Sequence, residues 1–164
     1  LNGRVVSKCK ECGHIYTSSK WEDTGYCSSE CKNKIYTRKQ SVFEKKIFEF
    51  ISTAISEYTV VSNPIITISD RKIVPDILIG NKLIIECYGD YWHCNPEFYN
   101  RDYFHKQIRK FSYEIWESDS YRTKILNDAG YDVIVIWEND FNVKKISLDT
   151  IKNNIYEIYK NRKN

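Results

Sequence analysis

The stretch IVPDILIGNKLIIECYGDYWH, residues 73–93, decides the fold. Its apolar runs 73–79 and 82–88 are each of strand length, and Gly80-Asn81 between them is the natural join of a hairpin. Two carboxylates interrupt the apolar pattern: Asp76, directly after Pro75, and Glu86, ten residues on and behind Leu83-Ile84-Ile85. A charge in the middle of a buried run is costly unless it is paired or holds a metal. Two such groups across one hairpin can share a cation. Hard carboxylate oxygens suit Mg²⁺, which keeps several waters and takes phosphate oxygens as further ligands. The plainer alternative is that each is a half-exposed strand residue.

Outward from this hairpin the periodicities alternate between helix and strand. Ser41-Val42-Phe43-Glu44 reads as a capping box, and Phe43, Ile47, Phe50, Ile51 and Ala54 recur at helical spacing to about Glu57. A β-rich run over 58–69 follows, interrupted by Pro64. Residues 89–100 break both periods with Gly89, Asn95 and Pro96, and their density of polar and aromatic groups marks a functional loop. Helical patterns occupy 101–117 and 119–128, with Gly130 in a C-cap position. Val133 to Trp137 is nearly all apolar, as in a strand buried on both faces, and Ser147 caps a last helix to about Lys160. This order predicts an α/β fold, a mixed sheet flanked by helices.

The 164 residues allow one ordinary domain plus a small module. With 41% hydrophobic, 15% aromatic and 29% charged residues and few glycines and prolines, collagen-like, low-complexity and disordered classes are excluded. No apolar run reaches the roughly 18–20 residues of a membrane span, and the opening LNGRVVSKCK lacks signal-peptide character, so a soluble cytoplasmic protein is expected. The absence of methionine and the leading Leu1 suggest a processed product or a piece of a longer chain. The formal charge of +3 is unevenly spread. Residues 1–40 hold eight basic and four acidic side chains, a net +4, which leaves −1 for residues 41–164.

Four of the six cysteines share that basic segment: Cys9-x2-Cys12, fourteen residues, then Cys27-x3-Cys31. About forty residues with so few large apolar groups need outside folding energy, which tetrahedral Zn²⁺ on four thiolates supplies. Gly13 would turn backbone amides toward sulfur, Asp23-Thr24-Gly25 signals a turn, and Ser28 is placed to cap a helix running on from the second knuckle. The spacing is similar to treble-clef and ribbon zinc modules over roughly residues 5–38. The competing reading is two disulfides. His14 is either a substitute ligand or an exposed bystander. Lys32, Lys34, Arg38 and Lys39, with Lys8, Lys10 and Lys20, form a basic set that would meet phosphates or simply a solvated face. Domains are therefore expected at 1–40 and 41–164.

Pro75-Asp76 with a following acid-x-Lys triplet resembles the PD-(D/E)xK nuclease superfamily. Here the triplet is Glu86-Cys87-Tyr88, without the lysine. Gly89-Asp90-Tyr91-Trp92-His93, together with Gly130-Tyr131-Asp132-Val133 through Trp137-Glu138, resembles the very short patch repair (Vsr) branch, which includes phage and intron homing endonucleases with an EDxHD catalytic set. The resemblance spans roughly residues 41–140. It implies a restriction-endonuclease-like fold and a metal-dependent endonuclease acting on double-stranded DNA in a bacterial or phage-infected cell, either of the homing type or a mismatch-repair nickase. The rival from another class is a catalytically inert, zinc-containing DNA-binding module.

By position the resemblance assigns Glu44 as the first-helix acid, Asp76 as the Mg²⁺ (or Mn²⁺) ligand, His93 as the catalytic histidine and Asp119 as its partner. A histidine can deprotonate water, and a carboxylate on its second nitrogen fixes the tautomer. Asp119 also reads as an N-cap, and Glu44 as a plain capping-box residue. Glu86 and the backbone carbonyl of Cys87 would complete the metal site. Tyr91 and Trp92 match an aromatic pair that wedges between bases, with a core role as the alternative. Arg122 would fork onto the scissile phosphate. The zinc site that repair enzymes build inside this domain falls here on Asp90, Asn95, Glu97 and Asn139, which are not a zinc set. A dimer supplying a second active site is left open.

Overall fold

The computed structural model describes residues 3–9, 13–28 and 40–161, and the chain divides into two compact units, Leu1–Lys39 and Gln40–Asn164. No helix among the described residues is long and apolar enough to cross a membrane.

In the first unit β1 (Arg4–Lys8) and β2 (Ile15–Ser19) pair antiparallel, Arg4 opposite Ser19 and Lys8 opposite Ile15. The Cys9 N–H donates to the His14 carbonyl at 2.8 Å, and the Gly13 N–H donates to the Cys9 carbonyl at 3.0 Å. Gly13 has φ +73°, which glycine reaches without a Cβ penalty. The Asp23-Thr24-Gly25 turn is closed by the Asp23 carboxylate, which accepts from the Gly25 N–H at 2.9 Å, from the Tyr16 hydroxyl at 2.5 Å and from the Ser7 hydroxyl. That bond to Asp23 is the main reason the Tyr16 phenol is pushed up to about 12. Cys9 is buried, Cys27 half-buried and His14 exposed. Cys12, Cys31, Lys10, Lys32, Lys34, Arg38, Lys39 and the helix expected after Ser28 lie outside the described residues.

The second unit is built on a four-stranded mixed sheet in the order β10-β7-β6-β3, made of β3 (Val60–Ser62), β6 (Ile77–Ile79), β7 (Leu83–Tyr88) and β10 (Asp132–Trp137). β7 and β10 are parallel, with Leu83 beside Asp132 and Tyr88 beside Trp137, while the other pairs are antiparallel. The crossover from β7 to β10 runs through α2 (Ser112–Asp128). A second short sheet pairs β4 (Ile66–Ile68) with β5 (Arg71–Ile73), and a third pairs β8 (Phe104–His105) with β9 (Lys110–Phe111).

Alternation along β7 divides its side chains between two layers. Leu83, Ile85 and Cys87 join Ile77, Ile79 and Ile136 beneath α1 (Val42–Ala54) and α4 (Leu148–Asn161), whose Ile47, Ile51, Ile151 and Ile155 are fully buried. Ile84 turns the other way, onto Leu126 of α2 and Ile73. Each fully buried isoleucine contributes about 1.5–3 kcal/mol, so this double-sided core can tolerate polar groups at one end of the sheet. Ser41 caps α1 by accepting the Glu44 N–H at 3.0 Å, and Ser147 caps α4 through the Thr150 N–H at 3.0 Å.

Four expectations change. The run 58–69 is two strands in different sheets, separated at Asn63 (φ +47°) and Pro64; Ser69 and Asp70 (φ +44° and +65°) then turn β4 onto β5. That left-handed pair is the geometry of a tight two-residue hairpin. The run 73–79 also breaks, so Pro75-Asp76 stands between β5 and β6 rather than inside a strand, and the β6–β7 connection spans three residues because Ile79 faces Leu83. Residues 101–111 are a loop and the β8–β9 hairpin, not a helix, and α2 is continuous from 112 to 128. Asp119 is therefore mid-helix and caps nothing. β10 is only half-buried apart from Ile136, because it is the last strand of its sheet among the described residues, and a short α3 (Glu138–Asn142) follows it.

Candidate active site

The α2 face of β7 carries Glu86 and Tyr88, and α2 answers with Asp119 and Arg122, three apart and hence neighbours on one helical face. Arg122 donates to the Glu86 carboxylate through Nε and Nη2, both at 2.9 Å, and Nη2 also donates to the Val74 carbonyl at 2.8 Å. One guanidinium thus neutralises a buried acid and ties down the residue before Pro75-Asp76.

After β7 the chain folds into irregular turns, with the His93 N–H on the Gly89 carbonyl at 3.0 Å and the Asn95 N–H on the Asp90 carbonyl at 2.8 Å. Trp116 of α2 pins this loop, its indole N–H donating to the carbonyls of His93 (3.2 Å) and Cys94 (2.7 Å). The His93 ring lies flat on Tyr88, centroids 3.9 Å apart and planes 1° from parallel, while its Nδ1 stands 2.8 Å from Asp119 Oδ2. Stacking fixes the plane of the imidazole and the carboxylate fixes its rotation. A carboxylate accepting from Nδ1–H leaves the lone pair on Nε2, the tautomer required of a general base. Burial raises the Tyr88 phenol well above its ordinary range, and the negative charges of Asp119 and Glu86 add to the rise. Tyr88 is therefore a neutral platform. A groove of about 580 Å³ lined by Tyr88, Asp119, Thr123, Lys124, Val135 and Trp137 opens beside the pair.

Asp76 is 2% exposed and accepts the Cys87 N–H at 2.7 Å. The β6–β7 ladder ends where Ile77 faces Ile85, and Asp76 and Glu86 are the residues just beyond that pair on the two segments. A strand residue's N–H and C=O leave the chain on the same side, so the Cys87 carbonyl lies on the edge of β7 that its N–H presents to Asp76. This is an all-oxygen donor set, a carboxylate and a carbonyl with a second carboxylate at the same end of the ladder, and it fits a hard divalent ion that keeps waters. Glu86 would join only by sharing its charge with Arg122. Among the described residues, which do not include Cys12 and Cys31, no three His, Cys, Asp or Glu side chains gather as a metal cluster.

Glu44 is buried in the first turn of α1, beside Phe43, which packs on Phe141 at 5.6 Å; this places it on the helix that covers the other face of the sheet from α2. Tyr91 and Trp92 are exposed, Trp92 by 55%, with rings 5.3 Å apart. Asp90 accepts from the Asn95 amide at 2.6 Å, while Glu97 takes the Lys145 ammonium at 2.5 and 2.7 Å and the Asn139 amide at 3.3 Å. Sequence reasoning missed Trp116 as the clamp on the His93 loop and His105, which is buried under Tyr91 and Trp92. Both sit where a helix was expected, and neither spacing nor charge singles them out. No protein-family model, no curated relative and no solved structure matches this chain.

Proposed function

We propose that the chain is a Mg²⁺-dependent endonuclease of the Vsr-like, EDxHD type, hydrolysing a phosphodiester of double-stranded DNA. The observation that carries this reading is the His93–Asp119 pair at 2.8 Å, stacked on Tyr88 of the strand that also carries buried Glu86 and whose Cys87 N–H is held by buried Asp76. In this mechanism His93 Nε2 takes a proton from the attacking water, and Asp119 stabilises the imidazolium that forms. The water oxygen bonds to phosphorus in line as the P–O bond to the leaving deoxyribose oxygen breaks, and that oxygen receives a proton from solvent. Asp76 and the Cys87 carbonyl, with Glu86, would hold Mg²⁺, which supplies charge stabilisation of the phosphoryl oxygens. Glu44 remains assigned by position alone. Cys9, Cys12, Cys27 and Cys31 are proposed to hold one structural Zn²⁺, closed to substrate by four thiolates.

The engagement of Glu86 by Arg122 favours a second reading, a DNA-binding module that no longer cuts. Cleavage of supercoiled and genomic DNA with Mg²⁺ or Mn²⁺ separates the two. Metal-dependent nicks or breaks that disappear in Asp76→Ala and in His93→Ala support the nuclease. DNA shifted in a gel but never cut with either metal supports the inert module.

A further inference from the structure

The 101–111 segment, expected to be a helix, forms instead an exposed hairpin beside the His93 loop. It carries Arg101, Lys106, Arg109 and Lys110 against the single acid Asp102, a local +3 in a domain whose sequence from 41 to 164 sums to −1. All four basic residues are exposed. Phe104 and Phe111 pair at 5.2 Å across the hairpin and are themselves 46% and 38% exposed. Exposed rings beside exposed positive charge are poor packing but a good surface for a polyanion that also offers flat apolar faces.

The tip is held in shape. His105 Nδ1 accepts the Ile108 N–H at 3.1 Å, its carbonyl accepts the Arg109 N–H at 2.7 Å, and Arg109 is kept at φ +59°. His105 has no exposure and lies against Tyr91 at 4.3 Å and Trp92 at 5.7 Å, so the hairpin and the loop bearing His93 share one aromatic cluster. The hairpin is therefore anchored to the loop that bears His93.

We infer that the β8–β9 hairpin is a second DNA contact, gripping phosphates of one strand through Lys106, Arg109 and Lys110 and offering the exposed Phe104 ring to an unstacked base. The choice of DNA rests on the nuclease reading; the surface itself does not. The test is fluorescence anisotropy of a labelled duplex carrying a short unpaired stretch, without added Mg²⁺, over a range of salt concentrations. For the triple variant Lys106→Gln, Arg109→Gln, Lys110→Gln, the slope of log affinity against log salt should flatten by roughly 2 to 3. Affinity at 0.15 M salt should fall about fivefold per contact, up to about a hundredfold. Phe104→Leu should weaken binding of the unpaired duplex about tenfold and leave a fully paired one within twofold. The control variant Lys45→Gln, Lys46→Gln, Lys82→Gln, which removes the same charge elsewhere on exposed positions, should bind like the parent.

Unchanged slope and affinity in the hairpin variant overturn the inference. So does polyglutamate that competes as well as DNA of equal charge, which would mark an acidic-protein surface. A parent that cuts plasmid while the hairpin variant binds normally overturns the hairpin alone. A parent that binds through the hairpin but never cuts overturns the nuclease alone.

Discussion

Replacing Arg122 by methionine keeps a long side chain on α2 while removing the guanidinium from Glu86 and from the Val74 carbonyl. The Glu86 side chain is 4% exposed and Arg122 32%. Breaking a fully buried pair costs about 3–5 kcal/mol, because the surviving charge is left without its counterpart. Water can reach from the Arg122 side, so the expected loss is smaller, about 2–3 kcal/mol. For a domain of roughly 125 residues that is a fall in melting temperature of about 8–12 °C. The assay is thermal and urea denaturation of the parent, Arg122→Met, Glu86→Gln and the double variant. The double variant should be more stable than the sum of the single losses by at least about 1 kcal/mol, since the amide no longer needs the guanidinium. Mg²⁺ at about ten times its dissociation constant contributes roughly 1.4 kcal/mol to a state that binds it, and Arg122→Met should gain more from it than the parent does. A melting temperature for Arg122→Met within about 1 °C of the parent, or additive single losses, would refute the account of how Glu86 is tolerated.

Further outcomes follow from other contacts. Asp119→Asn should slow cleavage by on the order of 10²–10⁴ while DNA affinity holds, and a loss under tenfold would remove Asp119 from the mechanism. Gly80→Ala should destabilise by about 1–3 kcal/mol, because φ is +56° and the new Cβ would lie 2.7 Å from the Tyr159 hydroxyl. In Tyr159→Phe that loss should shrink, as differential scanning fluorimetry can show. The zinc content of purified protein should be near one ion per chain and collapse in Cys9→Ser, read by a colorimetric metal assay. In alkaline titration by ultraviolet difference against Tyr16→Phe, the Tyr16 phenol should ionise near pH 12 rather than 10. Because the folded-state value is raised, the Tyr16–Asp23 bond contributes stability that is complete below pH 10 and lost as pH rises through about 12. Asp23→Asn should return the midpoint toward 10.

Local chemistry alone determined a good part of this protein. Apolar spacing announced α1, β7 and α4, and two serines marked helix starts that their hydroxyls do cap, because these signals involve residues within one turn of each other. Pro75-Asp76, Glu86 and His93 stand out in sequence because polar groups amid apolar neighbours need partners. Who those partners are was decided only by the tertiary structure. Asp119 meets His93 across 26 residues and Arg122 meets Glu86 across 36, distances over which no periodicity carries information. The 101–111 segment shows the limit most plainly. Tyr103, Phe104, Ile108 and Phe111 recur at near-helical spacing, yet burying His105 beneath Tyr91 and Trp92 outweighs that local preference and turns the chain into a hairpin.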